Sequence, residues 1–283
     1  MVNSHYKDVI KYFSKKAAKY DLVDEQLYWR LSDKLLEKII QVKLIEPFLK
    51  KKELKVLDAG AGTGRWSLIL YNFLKKSFKL HFDLVDITKE MLTEAERKIR
   101  KKGLTNTMEI HLGNIEDLSD YPNDYYNIAI SFYNVLSFSE NPERALKEVF
   151  RKLKKGGLYA SIVANKYHSY FFSILNNRVN ELADIKSGKT RYTSEMPFIH
   201  CFTPNEIRKL YQKNGFKKVE VIGFPNFVYP NIEDARIEGQ SRQSNNLLEN
   251  KKNFQKILAT EFRECFNQDV VGRGNVLLII GKK

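Results

Sequence analysis

Apolar residues recur three and four apart through the first 47 positions. From Leu54 they gather instead into short runs that alternate with helical stripes. Tyr6, Val9, Ile10 and Phe13 share one face of a first helix. Leu27, Leu31, Leu35, Ile39 and Val42 share one face of a second, which Pro47 should stop. Strands are expected at Leu54–Asp58, Leu80–Asp86, Met108–Leu112, Tyr126–Phe132 and Leu158–Val163. Helices lie between them: one opened by Gly64 with Trp66, Ile69, Leu70, Phe73 and Leu74 inward, and one capped by Thr88 with Met91, Leu92, Ala95 and Ile99 inward. A third starts at Asn141-Pro142, carries Leu146, Val149, Phe150 and Leu153, and should end at Gly156-Gly157. After Val163 the rhythm breaks. Residues 165–201 are aromatic and irregular, with no clear strand. Thr203-Pro204-Asn205-Glu206 then reads as a capping box, followed by a helix with Ile207, Leu210 and Tyr211 and a strand at Lys218–Phe224. The polar stretch 231–250 precedes a helix with Phe254, Ile257, Leu258 and Phe262, and the last strand is Asn275–Ile280. Strand-helix alternation of this kind predicts an α/β fold with a doubly wound, mostly parallel, seven-stranded sheet and a ligand at the carboxyl ends of its strands. The expected organisation is a helical cap (1–50), a core (51–164), a lid or acceptor segment (165–202) and a C-terminal completion of the sheet with a helical insertion (203–283).

Composition narrows the class. With 43% hydrophobic residues in 283, the chain can bury a sizeable core. Met1-Val2-Asn3-Ser4-His5 has no apolar signal region, and no run of about 18 apolar residues occurs, so a cytoplasmic protein with no membrane partner is expected. Cys201 and Cys265 belong to no Cys/His cluster, so no metal is expected. The net charge of +14 has two readings. It fits a phosphate-rich partner such as tRNA, or it reflects lysines dispersed on solvated faces, many of them at helix ends.

The chemistry concentrates after the first strand, in Asp58-Ala59-Gly60-Ala61-Gly62-Thr63-Gly64. Glycines let a backbone turn sharply and approach a ligand closely. A dinucleotide fingerprint would need glycine where Arg65 stands, and a Walker loop would need Gly-Lys-Ser/Thr, so neither applies. Asp86 ends the second strand, where an acid can accept hydrogen bonds from both ribose hydroxyls of a nucleoside.

The Asp-x-Gly-x-Gly-x-Gly pattern resembles motif I of the class I S-adenosylmethionine-dependent methyltransferases, of the type 11/25-like kind. Asp86-Ile87-Thr88-Lys89-Glu90-Met91-Leu92 resembles that family's D-x-S/T-x-x-M-L run. Gly113-Asn114-Ile115-Glu116-Asp117-Leu118 resembles its adenine-binding corner, with Asn114 in place of the usual acid. Ser131-Phe132-Tyr133-Asn134 follows the fourth strand, and Leu153-Lys154-Lys155-Gly156-Gly157 is similar to the family's L-K-P-G-G. Phe13, Ala17, Tyr20 and Asp21 resemble an F-x-x-x-A-x-x-Y-D entry seen in small-molecule members, whose tyrosine covers the cofactor; Tyr20 could equally pack as a helix-end aromatic. The resemblance implies a Rossmann-like methyltransferase fold and S-adenosylmethionine as cofactor. It implies a binding set of Tyr20, Asp58, Gly60, Ala61, Gly62, Gly64, Arg65, Asp86, Ile87, Met91, Asn114, Ile115, Ser131 and Phe132.

The acceptor is less marked. Neither the exocyclic-amine motif, nor a Pro-Cys nucleophile, nor a clustered Asp/Asn/Asp catechol site is present. His200 is the expected general base, unless it is a surface or capping histidine. Tyr133 stands where the transferred methyl should emerge, and Tyr167, His168, Tyr170, Tyr192 and Phe198 are candidate pocket walls or lid packing. Transfer to an oxygen or nitrogen of a small molecule is the first expectation. A wobble-uridine tRNA methyltransferase, suggested by the arrangement of Asn165-Lys166-Tyr167-His168 and the later insertion, is the second. A non-catalytic methyltransferase-like partner subunit is the third.

Overall fold

The computed structural model describes residues 4–230 and 247–283. Most of the polar stretch expected at 231–250 therefore lies outside the described residues, as do the first three positions of the chain start. The strands are β1 (Glu53–Ala59), β2 (Lys79–Asp86), β3 (Met108–Leu112), β4 (Tyr126–Ser131), β5 (Leu153–Asn165), β6 (Lys189–Thr190), β7 (Ile199–Phe202), β8 (Lys217–Phe224) and β9 (Val276–Lys282). β3, β2, β1, β4 and β5 are parallel neighbours in that order. β9 joins β5 antiparallel, and β8 joins β9 antiparallel. These seven are the strands expected from sequence, within a residue or two except for the early start of β5.

The sheet has nine strands because β5 runs on beyond β4. Its pairing with β4 ends at Ser161, and β7 takes the vacated edge at Ala164 and Asn165, with β6 beside it. Residues 165–201 thus do contain strands. Each is too short for alternation to stand out among the surrounding aromatics. The same stretch holds helices α7 (Lys166–Leu175) and α8 (Leu182–Lys186).

Helices α1 (Ser4–Ser14), α2 (Leu27–Ile40), α3 (Arg65–Leu74), α4 (Lys89–Lys101), α5 (Val135–Phe138), α6 (Pro142–Lys152), α9 (Pro204–Lys213) and α10 (Lys251–Glu264) cover the sheet. Two apolar layers result, one holding Val56, Phe82, Leu84 and Ile130 with α2 and α3, the other Leu57, Ala129, Tyr159 and Leu277 with α6 and α9.

Local chemistry changes some expected boundaries. A π-helical turn, Gln41–Ile45, follows α2 and shifts the buried face. Leu44 and Ile45 point inward and Val42 outward. In α3 the inward set is Trp66, Leu68, Leu70 and Leu74, while Phe73 faces water. Thr88 occupies the N-cap of α4 but makes no side-chain capping bond. Helix α6 stops at Lys152, and Gly156 bends the start of β5 at a positive φ rather than ending the helix. The capping box at Thr203 forms as expected, with Glu206 bonded back to the Thr203 N–H at 2.7 Å.

Glu261 of α10 is buried and accepts from the N–H groups of Asn226, Phe227 and Val228 at 2.7, 2.8 and 3.0 Å. It clamps the segment after β8 to the body of the protein. Burial raises its pKa against three stabilising N–H bonds. Glu261→Ala leaves three donors without this acceptor and should cost about 2–4 kcal/mol. Thermal unfolding of the pair of proteins, read by circular dichroism, checks this.

Candidate functional site

The glycine loop joins β1 to α3 at the carboxyl edge of the sheet. Gly60, Gly62 and Gly64 all have positive φ. At Gly60 a Cβ would meet Val135 Cγ1 at 2.3 Å, because α5 presses directly on the loop. The N–H groups of Gly60 and Ala61 both bond the Val85 carbonyl, at 2.7 and 2.9 Å. Asp86 then ties the loop to its own strand end: its carboxylate accepts from the Gly62 N–H and the Thr88 N–H, each at 2.8 Å. Burial raises the pKa of Asp86, opposed by these N–H bonds.

Around this frame is a cleft of about 670 Å³, mouth included. Gly60, Gly62, Asp86, Ile87, Met91, Asn114, Ile115 and Phe132 line it. These are eight of the residues expected from sequence. Asp58, Ala61 and Arg65 lie around the other side of the loop, in a small recess that also includes Thr63 and Trp66. Asp58 is buried, accepts from the Ser67 hydroxyl at 2.7 Å, and is pushed up to about 7 by burial. Gly64 is the N-cap of α3 in a left-handed conformation, packed against Leu84 and Ala95. It shapes the loop without lining the cleft. Ser131 is not at the cleft either. Its hydroxyl is spent on the Ala59 carbonyl at 2.6 Å beneath the sheet surface. Asn114 faces the cleft, but its side-chain oxygen already accepts the Glu116 N–H at 3.0 Å, the local turn bond expected of asparagine.

The N-terminal segment closes the cleft. Tyr6 and Phe13 of α1 form part of its wall. The Tyr6 hydroxyl donates to buried Glu116, which also accepts the Asn141 N–H at 2.8 Å. Tyr20 lies in a 3₁₀ segment, Ala17–Glu25, held by its neighbour Asp21. Asp21 accepts from the Thr63 hydroxyl at 2.6 Å and from Lys98 at 2.5 Å, tying the segment to the glycine loop and to α4.

A second cavity of about 960 Å³, mouth included, adjoins the first. Its walls are largely aromatic: Tyr12, Phe13, Trp29, Phe138, Phe172 and Tyr192. Tyr20 and Tyr133 line the cleft, the recess and this cavity alike, and so stand at their junction. The Tyr133 hydroxyl donates to Asp33 of α2, and Asp33 is paired with the Arg65 guanidinium. Burial lifts the Asp33 carboxyl to about 6, less than it would without Arg65. Burial opposes charge on Arg65, but Asp33 and Asp24 outweigh it and keep the guanidinium ionised.

Other expected acceptor residues sit elsewhere. His200 does not line these cavities. It lies on β7 with its Nε2 facing the Lys189 ammonium at 3.1 Å and the Glu140 carbonyl at 3.3 Å. Burial and then Lys189 push it down to about 4, and its place on β7 sets it away from the residues lining the junction. Tyr167 faces water, and Phe198 stacks on Arg191 at 4.6 Å. Tyr170 packs against a third apolar cluster around Ile185 and Ile199. His168 is buried behind the cavity among Phe171, Phe172, Tyr192 and Tyr229, and burial pushes it down to about 4. Of the five, Tyr192 lines the cavity. Tyr6, Trp29, Asp33, Phe138 and Phe172 were not singled out for the site. Their spacing is that of ordinary helix faces, and Asp33 is one of five charged residues in α2, so none carries a local signal.

Among the described residues the one group able to gather three metal-ligand atoms is Asp83, Glu109 and His111, on β2 and β3 and not at the cleft. No helix of the described residues is long and apolar enough to cross a membrane.

The family profile for the methyltransferase domain matches residues 50–215. A demethylmenaquinone methyltransferase of Leptospira interrogans is 28% identical over 234 residues, covering 78% of this chain and 88% of that protein. A ubiquinone/menaquinone biosynthesis C-methyltransferase of Cronobacter sakazakii is 28% identical over 222 residues, covering 75% and 83%. Among solved structures, an S-adenosylmethionine-dependent methyltransferase of Thermotoga maritima superposes with a TM-score of 0.56, at 17% identity, covering 96% of this chain and 99% of that one. At that identity the likeness is one of fold.

Proposed function

The chain belongs to the methyltransferase-domain family, the class I S-adenosylmethionine-dependent enzymes, and from that premise we propose that it methylates a ring carbon of an aromatic, quinone-type small molecule. The observation that carries this reading is the aromatic cavity meeting the glycine-loop cleft at Tyr20 and Tyr133. Flat apolar walls suit a flat apolar acceptor, which they hold by area and by ring-edge contacts. One relative is named for demethylmenaquinone and the other as a ubiquinone/menaquinone C-methyltransferase, which favours a quinone-type acceptor and carbon over the oxygen or nitrogen expected from sequence. The wobble-uridine alternative has the net charge of +14 in its favour, but a cavity walled largely by aromatic rings does not call for a polyanion.

The cleft fits the cofactor's chemistry. The glycine cradle has no room for a Cβ at Gly60, and Asp86 stands beside it to receive the ribose hydroxyls. Ile87, Met91 and Ile115 would hold the adenine by apolar contact, and the recess at Asp58 would receive the amino-acid end. S-adenosylmethionine supplies a methyl group on a positively charged sulfur, a good leaving group. Positioning by this chain therefore provides much of the rate. A ring carbon is nucleophilic when the acceptor is the reduced, hydroxylated ring. Tyr133 Oη accepts that hydroxyl's proton as it passes its own to Asp33, whose pKa of about 6 suits the relay near neutral pH. The ring carbon takes the methyl, and its own hydrogen then moves as a proton to the ring oxygen, restoring the hydroxylated aromatic ring with one proton released. Tyr20 and Phe138 exclude water from the junction.

The test is label transfer from methyl-labelled S-adenosylmethionine to a demethylated naphthoquinol, to its oxidised quinone and to bulk tRNA, with the product's new bond located by NMR. Label on a ring carbon of the quinol is expected. Label on oxygen or nitrogen, or on tRNA alone, overturns the carbon reading. Tight cofactor binding without turnover on any acceptor would instead support the non-catalytic subunit.

A further inference from the structure

We infer that α7 lies on the surface of a lipid bilayer, with the aromatic cavity on the opposite side of the helix. The helix is amphipathic in the reverse sense. Its buried side carries His168, Ser169, Phe172 and Ser173. Its solvent side carries Tyr167, Phe171, Ile174 and Leu175, at spacings of four, three and one, and Val179, in the separate 3₁₀ turn after the helix, is exposed as well. These five side chains are 53, 44, 59, 59 and 53% exposed. Phe227, 45% exposed, belongs to the Asn226–Val228 segment clamped by Glu261. A helix of a water-soluble protein normally turns its large apolar side chains inward, so a continuous outward stripe marks a face that meets a non-aqueous neighbour.

Its position and charge select a bilayer. Phe172, on the opposite side of the same helix, lines the aromatic cavity, and Phe171 stacks near Tyr229, which precedes the cavity residue Pro230. A bilayer at this face would therefore lie one helix away from the cavity. The chain's net charge of +14 attracts it to anionic headgroups, while aromatic and aliphatic side chains of this kind settle at the boundary between headgroups and acyl chains. This differs from crossing the membrane, which no described helix can do. The sequence-based expectation of no membrane partner came from the lack of a spanning run and does not bear on a helix lying in the interface. That the acceptor is drawn from the bilayer rests on the quinone-type reading; docking itself does not.

The experiment is flotation of the full chain with vesicles of phosphatidylcholine alone and of phosphatidylcholine with 30% phosphatidylglycerol, about a third anionic lipid as the probe. It compares the native protein with the Ile174→Gln/Leu175→Gln variant. Both side chains are mostly exposed, so the fold should stand, and unchanged cofactor binding by calorimetry checks that it does. Binding to the anionic vesicles is expected, weaker at high salt, with a loss of about tenfold or more in the variant. Absence of binding by the native protein overturns docking, as does equal binding by both proteins. So does a native dimer that the variant loses, which would assign the stripe to a second copy. Vesicle binding is read without turnover. A docking protein that fails to methylate the quinol therefore separates failure of the acceptor reading from failure of this one.

Discussion

Replacing Asp86 with alanine is expected to weaken S-adenosylmethionine binding by about 100-fold. Two losses combine. The ribose loses the carboxylate proposed to receive it, and the Gly62 and Thr88 N–H groups lose the acceptor that holds the glycine loop to the end of β2. Hydrogen bonds to a charged group contribute roughly 1.5–3 kcal/mol each, and about 2.7 kcal/mol corresponds to the stated factor. Calorimetric titration with S-adenosylmethionine measures it. Asp86→Asn keeps one acceptor oxygen for the loop and should lose less. If both variants bind as tightly as the native protein, the nucleoside does not sit at this strand end.

Tyr133→Phe should lower kcat by about 100-fold and leave cofactor affinity within a factor of two. The ring remains to wall the junction; only the hydroxyl that takes the acceptor's proton is removed. Its partner supplies the pH dependence. Asp33, raised to about 6, must be ionised to receive the proton relayed by Tyr133. Activity should therefore rise with pH to about 6 and level off above it, falling close to tenfold per unit well below. Asp33→Asn should flatten that limb. It also leaves Arg65 less compensated in a half-buried site, so its thermal midpoint needs measuring alongside. A Tyr133→Phe enzyme with native kcat, or a native enzyme with no acid limb near 6, would remove the relay from the mechanism.

The contrast between these residues shows how legible the site was. Asp86 was identifiable because strand, glycine loop and acid follow one another in the chain. The crossover geometry of a parallel sheet brings consecutive carboxyl ends together whatever the helices between them contain. Asn114-Ile115 and Phe132 were legible for the same reason. Asp33 was not. It lies 100 positions before Tyr133 in the chain, and nothing in the stripe of Leu31, Leu35 and Ile39 says which way a neighbouring carboxyl points. His200 shows the opposite case, a residue type that drew notice and a position away from the cavities. Histidine chemistry suggested a base, but β7 pairs with the overrun of β5 and carries the imidazole against Lys189. The aromatic stretch after Val163 likewise gave residue types without directions. Tyr192 faces the cavity, Tyr167 faces water, and His168 is buried between them in sequence though not in role.

Local order along the chain therefore determined a parallel α/β sheet, a nucleoside-type cleft and the class of group transferred. Each depends on consecutive elements, or on a loop whose backbone conformation glycine alone supplies cheaply. Tertiary structure decided what surrounds the junction of cleft and cavity. α1, α2, α5 and α7 converge there from distant parts of the sequence, and the cavity they enclose is set by packing directions that periodicity does not encode. The outward stripe of α7 shows the same division. Its residue types are visible in the sequence, but only the fold shows that they form a helix and that Phe171, Ile174 and Leu175 point away from the core.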